Sequence, residues 1–167
     1  ITNMDSPLGS AVGNSLEVIE SVEILKGKTS GDLWTVCREL SCRMLMLAGI
    51  GDKDECGRLV DEAVKSGEAL KRFEMMVKLQ GGDVSYIEDT SKFRKASFSR
   101  EVYAPADGYI THMDSEKIGL TAVLLGAGRE KKDDDINHAA GIIIAAKTGD
   151  FVKRGELLAT LFADDES

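Results

Sequence analysis

Apolar residues in the first half of the chain recur every three or four places, whereas those in the second half alternate or cluster in short blocks. The first pattern is that of amphipathic helices and the second that of strands. Leu16, Ile19 and Val22 mark one helix that runs until Gly27, and Asn14 with Glu17 has the spacing of a capping box at its start. A second helix is expected after Asp32, with Leu33, Val36, Cys37, Leu40, Met44 and Leu47 as its buried stripe. A third follows Asp52, with Glu55 three places on, and Ser66-Gly67 interrupts it. A fourth carries Leu70, Phe73 and Val77 toward Gly81-Gly82. Each helix has an apolar face that needs a partner. Four such helices can form a bundle or cover a sheet. The opening stretch SPLGSAVGNS, with Pro7, Gly9 and Gly13 close together, is a loop suited to the lip of a sheet and favours the cover.

Residues 83–95 are polar and read as a linker. After them, FSREVYA and GYITHMD flank PADG, a turn signal built on Pro105 and Gly108. A helix is expected after Ser115. The stretch GIIIAAKTGDFVKRGELLATLFA then predicts a buried strand, a turn at Thr148-Gly149-Asp150, a short strand, a turn at Gly155 and a closing strand. The fold class is α/β in the broad sense, and α+β by this segregation of helices and strands.

A length of 167 residues suits one ordinary domain or two small ones. With 43% hydrophobic and 30% charged residues, the composition is that of a globular protein. The net charge of −8 and the absence of a basic stripe speak against nucleic acid and against an anionic membrane surface. The apolar run AAGIIIAA is far shorter than the ~20 residues of a bilayer span. No secretory signal pattern is visible, so a cytoplasmic location is expected. Cys37, Cys42 and Cys56 are odd in number and lack CxxC spacing, which predicts reduced, mostly buried thiols rather than a disulfide framework or zinc site.

Candidate chemistry is sparse. Arg129, Lys131 and Lys132 could contact an anion beside LGAG, but Asp133, Asp134 and Asp135 would repel it, and the stretch reads as a solvated helix start. His112 and His138 have no serine or cysteine partner pattern, so no catalytic residue is expected. The segments APADGYI and GDFVKRGELLATL are similar to the strand-rich tips of lipoyl and biotinyl carrier domains. Such a domain shows its lysine on an exposed hairpin beside methionine or aspartate, whereas Lys131 and Lys132 lie among charges. A non-enzymatic carrier or interaction module with a biotinyl- or lipoyl-like tip is therefore the alternative reading.

Three stretches in order carry a more specific likeness: SPLGSAVGNSLEVIESVEILKG, VKLQGGD and LGAGREKKDDDINHAAGI, followed by a GDxVxxGExLA ending. Together they resemble the C-terminal portion of the pyrimidine-nucleoside phosphorylases, thymidine phosphorylase included, over essentially the whole chain. Asn3 stands where the family commonly has an acidic residue, and Asn137 and Ala140 where aspartate and valine are frequent. The resemblance implies that residues 1–82 are late helices of an α/β domain and 83–95 a linker. Residues 96–167 would be a C-terminal α+β domain with a barrel-sandwich, biotinyl-like strand core. It also implies reversible phosphorolysis of a pyrimidine nucleoside, with phosphate and base bound by chain upstream, no activity in this segment alone, and a homodimer when intact. No organic cofactor is implied. A potassium ion is, held by the main-chain carbonyls of Leu8 and Ala11 and the carboxylate of Glu20.

Overall fold

The computed structural model describes residues 3–129 and 131–165. Ile1, Thr2, Glu130, Glu166 and Ser167, which the expected domain limits and the charged stretch include, lie outside the described residues. The chain falls into two compact units. One combines the chain up to Val18 with the chain from Phe93 on, and the other is Ile19–Lys92.

The first unit is built on a four-stranded antiparallel sheet. Its strands are β1 (Ala11–Val12), β2 (Phe98–Tyr103), β4 (Gly141–Ile144) and β6 (Leu157–Ala163), in the order β1-β4-β6-β2. A separate two-stranded ribbon joins β3 (Gly108–Tyr109) to β5 (Phe151–Val152). Helix α6 (Ser115–Leu124) starts at Asp114, whose carboxylate accepts from the Lys117 N–H at 3.1 Å. Ala122 on this helix packs with Ile142 and Ile144 of β4, and Val12, Met113, Ile118, Ala159 and Leu161 close around them. Small residues let the backbone approach here: Ala139 and Ala140 are buried directly before β4.

PADG does not close a hairpin between the strands on either side of it. β2 pairs with β6, in a register running from Phe98 opposite Ala163 to Tyr103 opposite Leu157, and β3 pairs with β5. All six residues of β2 are exposed at the sheet's edge.

The second unit contains the rest of α1 (Asn14–Leu25), then α2 (Gly31–Leu47), α3 (Lys53–Lys65), α4 (Glu68–Leu79) and a single turn α5 (Ser85–Glu88), followed by a 3-10 turn at Thr90–Lys92. Asp52 caps α3, its carboxylate accepting from the Glu55 N–H at 2.9 Å. Gly67, with φ +79°, makes the break between α3 and α4. Helices α2 and α3 are pinned by a forked ion pair: Arg38 Nε to Asp61 Oδ1 at 2.5 Å and Nη2 to Oδ2 at 2.7 Å. Gly57 makes room for that fork, since a Cβ there would lie 2.9 Å from Arg38 Nη2.

The stretch read as a linker contains α5 and the 3-10 turn, and Ile87 is buried at its centre. One expectation is corrected here. The apolar stripe of α2 is not buried: Val36, Cys37, Leu40, Met44 and Leu47 are exposed, Leu47 at 89%, while Cys42 takes the core position. Periodicity identifies an apolar face but not what covers it. Part of this face opens into an apolar groove of about 650 Å³ within the helical unit, lined among others by Ile24, Leu33, Trp34, Met44 and Phe73. Cys42 and Cys56 are buried and Cys37 is exposed. No helix of the described residues is long and apolar enough to cross a membrane.

Candidate functional site

The opening loop is where sequence reading placed a site, and its geometry follows from two glycine-dependent bends and four braces. Gly9 (φ +76°) and Gly13 (φ +140°) take backbone conformations open to glycine, on either side of the two-residue strand β1. At the strand the braces are backbone: the Ile144 N–H donates to the Ser10 carbonyl at 2.7 Å, and β1 pairs with β4 as Ala11 opposite Ile143 and Val12 opposite Ile142. Because hydrogen-bonded and non-hydrogen-bonded pairs alternate, the bond at Ser10 makes Ala11 and Ile143 a non-bonded pair. The Ala11 carbonyl therefore points away from β4, toward the sheet's edge.

Behind the strand, α1 begins differently from the capping box its sequence suggested. Glu17 does reach back, but its Oε1 accepts from the Gly13 N–H at 3.0 Å, one residue earlier than expected. Asn14 sends its side-chain amide to the Ala127 carbonyl at 3.0 Å, and the Ser15 N–H donates to the His138 carbonyl at 3.1 Å. The tight approach of Gly13 to residues 140–141 sets this register. The helix start is thus supplied with a carboxylate and a carbonyl from its own unit, at the position where an incoming anion would otherwise bind. In front of the strand, Lys147 Nζ donates to the Pro7 carbonyl at 2.9 Å.

The predicted ligand residues sit as follows. Leu8 is exposed, Ala11 is buried in β1, and the two are three residues apart in this braced loop. Glu20 is half-buried on α1, in the part of the helix that belongs to the second unit. Glu17 is the acid with a described bond to the loop. Carbonyl oxygens and a carboxylate are the kind of oxygen donors that hard cations accept. Among the described residues no three histidine, cysteine or carboxylate side chains gather as a metal site.

The charged stretch beside LGAG is corrected: it is a turn and not a helix start. The Lys131 N–H donates to Asp134 Oδ2 at 2.7 Å and the Asp134 N–H returns to the Lys131 carbonyl at 3.1 Å. Residues 131–140 include no strand, so Lys131 and Lys132 are not on a strand-flanked hairpin.

A second polar cluster escaped sequence reading. Asp164, at the end of β6, accepts from the Arg94 guanidinium, from the Ser97 N–H at 2.8 Å and hydroxyl at 3.0 Å, and from Asn137 Nδ2 at 2.9 Å. Arg94 also donates to Asn137 Oδ1 at 2.8 Å. Residues 94 and 97 lie too far in sequence from 137 and from 164 for any local signal. The guanidinium of Arg94, helped by the Ser97 N–H, holds the Asp164 carboxyl at about 2, below its ordinary 3.8. A lowered value means that the folded state favours the charged form. The stabilisation is complete above the ordinary value and disappears as pH falls through about 2. Arg94→Met is therefore expected to raise the Asp164 midpoint toward 3.8 in a carboxyl NMR titration. Its stability deficit at neutral pH should vanish below pH 2; a midpoint unmoved by the substitution would remove Arg94 as the cause.

The family model described as "Pyrimidine nucleoside phosphorylase C-terminal domain" matches residues 109–167. The pyrimidine-nucleoside phosphorylase of Bacillus subtilis (strain 168) is 41% identical over 168 residues, spanning 100% of this chain and 39% of that protein. That of Geobacillus stearothermophilus is 38% identical over 167 residues, spanning 99% and 39%. That of Staphylococcus aureus (strain USA300) is 39% identical over 165 residues, spanning 98% and 38%. The chain spans about two fifths of the length of these curated relatives.

Proposed function

Because the chain belongs to the pyrimidine-nucleoside phosphorylase family and corresponds to its C-terminal portion, we propose that it is the supporting part of a pentosyltransferase. The intact enzyme converts a pyrimidine nucleoside, thymidine or uridine, and phosphate to free base and pentose 1-phosphate. Likeness along the entire chain is the observation that carries this reading.

Phosphate attacks the anomeric carbon while the glycosidic bond loosens, so the enzyme must hold an anion in line and stabilise charge on the departing base. This chain's contribution is architectural. Phosphate and base are read as bound by upstream parts of the polypeptide; the start of α1, already engaged by Glu17 and the His138 carbonyl, supports that reading. Residues 1–82 serve the α/β domain, with 83–95 joining them to a C-terminal domain at 96–167. The exposed stripe of α2 and the apolar groove in the helical unit are consistent with further chain packing against residues 1–82. The strand core of the last domain is read as a barrel sandwich of the biotinyl type, supported by short strands joined at glycine turns. A potassium ion bound by Leu8, Ala11 and Glu20 would order the opening loop; its chemistry is charge neutralisation and loop order, not bond cleavage. The intact protein is read as a cytoplasmic homodimer.

The test is the absorbance change of thymidine or uridine with phosphate. The 167-residue chain alone is expected to give no turnover. Phosphorolysis by the purified chain would place the reacting groups here and overturn the division of labour.

A further inference from the structure

The Pro7 carbonyl is held by an ammonium from the far end of the sequence. Lys147 Nζ donates to it at 2.9 Å, across 140 residues. The lysine is mounted on a rigid base. Its own N–H donates to Asp150 Oδ2 at 2.8 Å, closing the Thr148-Gly149-Asp150 turn. The Gly149 N–H donates to the Ile110 carbonyl at 2.8 Å, and the Ile110 N–H to the Asp150 carbonyl at 3.0 Å, so the turn is fastened to the chain beyond β3 on both sides. A half-buried ammonium on such a base keeps its direction with little loss of side-chain freedom.

β1 is only two residues long, and the chain before it has Pro7, which has no N–H to give, and the positive-φ Gly9. We infer that Lys147 is a positioning residue for the opening loop: its ammonium is a resident cation that fixes residues 7–11, whether or not a metal ion is bound. The carbonyl it holds directly precedes Leu8. Lysine and a monovalent ion would then organise consecutive carbonyls of one loop, and loss of the first would make the loop dependent on the second. That last link rests on the cation reading above; the holding role of Lys147 does not.

Amide hydrogen exchange separates the two. The reporters are the N–H groups of Gly13 and Ile144, which donate to Glu17 and to Ser10 and so register the order of the loop. In the unsubstituted chain both are expected to stay protected in potassium chloride and also in tetramethylammonium chloride, whose cation is too large for a carbonyl cage. Lys147→Met in tetramethylammonium chloride should exchange at least tenfold faster at both positions, with the amides of α3 unchanged. Lys147→Arg, which keeps a charged donor, should stay within about threefold of the unsubstituted chain. Unchanged Gly13 and Ile144 exchange in Lys147→Met overturns the positioning role, and a loss shared equally by α3 overturns its confinement to the loop. Potassium chloride should restore protection to Lys147→Met. Absence of that rescue, with the loop-specific loss present, refutes the cation reading and leaves the role of Lys147 standing.

Discussion

Gly141→Ala is expected to destabilise the sheet unit more than any conservative change elsewhere in it. Gly141 has φ +149°, and a Cβ added there would lie 2.3 Å from the Val12 carbonyl oxygen and 3.1 Å from Gly13 Cα. The reciprocal holds at Gly13, where a Cβ would lie 2.5 Å from the Ala140 carbonyl oxygen. Both obstacles are backbone, so no rotamer change relieves them. Backbone strain of about 1–3 kcal/mol and overpacking of about 1–3 kcal/mol combine to a loss of roughly 2–6 kcal/mol. Urea unfolding should show this as a lower midpoint. Gly149→Ala is the control: it shares a positive φ of +99° but has nothing within 4 Å of its added Cβ. Equal losses at 141 and 149 would mean that φ alone matters and that the contact does not.

Ile142→Ala is the second large effect. Ile142 is 4% exposed and sits between Val12 and Leu161 in the sheet, with Ala122 of α6 against its cluster. Removing three carbons from a site whose neighbours are held by the ladder and by the helix leaves a cavity. The expected cost is about 2–5 kcal/mol. Leu47→Ala removes the same number of carbons at a position 89% exposed and should change stability by less than about 0.5 kcal/mol. The pair tests burial directly, because hydrophobic pattern alone ranks both residues as core. A large loss at Leu47 would show that its face is covered in the chain in solution.

That contrast shows what the sequence disclosed. The starts of α3 and the turns at Gly67, Thr148–Asp150 and Gly155 were legible because each is decided within a few residues, by Asp52 with Glu55 or by a glycine free of Cβ constraints. The choice of Gly13 over Asn14 as the group that Glu17 caps was not, since it depends on the approach of residues 140–141 to the loop. Nor was the pairing of β2 with β6, whose partners lie some sixty residues apart in the chain. In the candidate site, Leu8, Ala11 and Glu20 came from resemblance, while the braces seen around the loop come from residues 127, 138, 144 and 147. The Arg94–Asp164 cluster was silent for the same reason.

The exposed edge strand β2 bears on how the molecule behaves at high concentration. A naked strand invites a second molecule to extend the sheet. Two copies meeting antiparallel about a twofold axis would match the most residues when centred on Arg100 or on Glu101, and these registers set guanidinium against guanidinium or carboxylate against carboxylate. Phe98, Val102 and Tyr103 supply stickiness along the same strand, and the two central charges act as gatekeepers against fibril-like stacking.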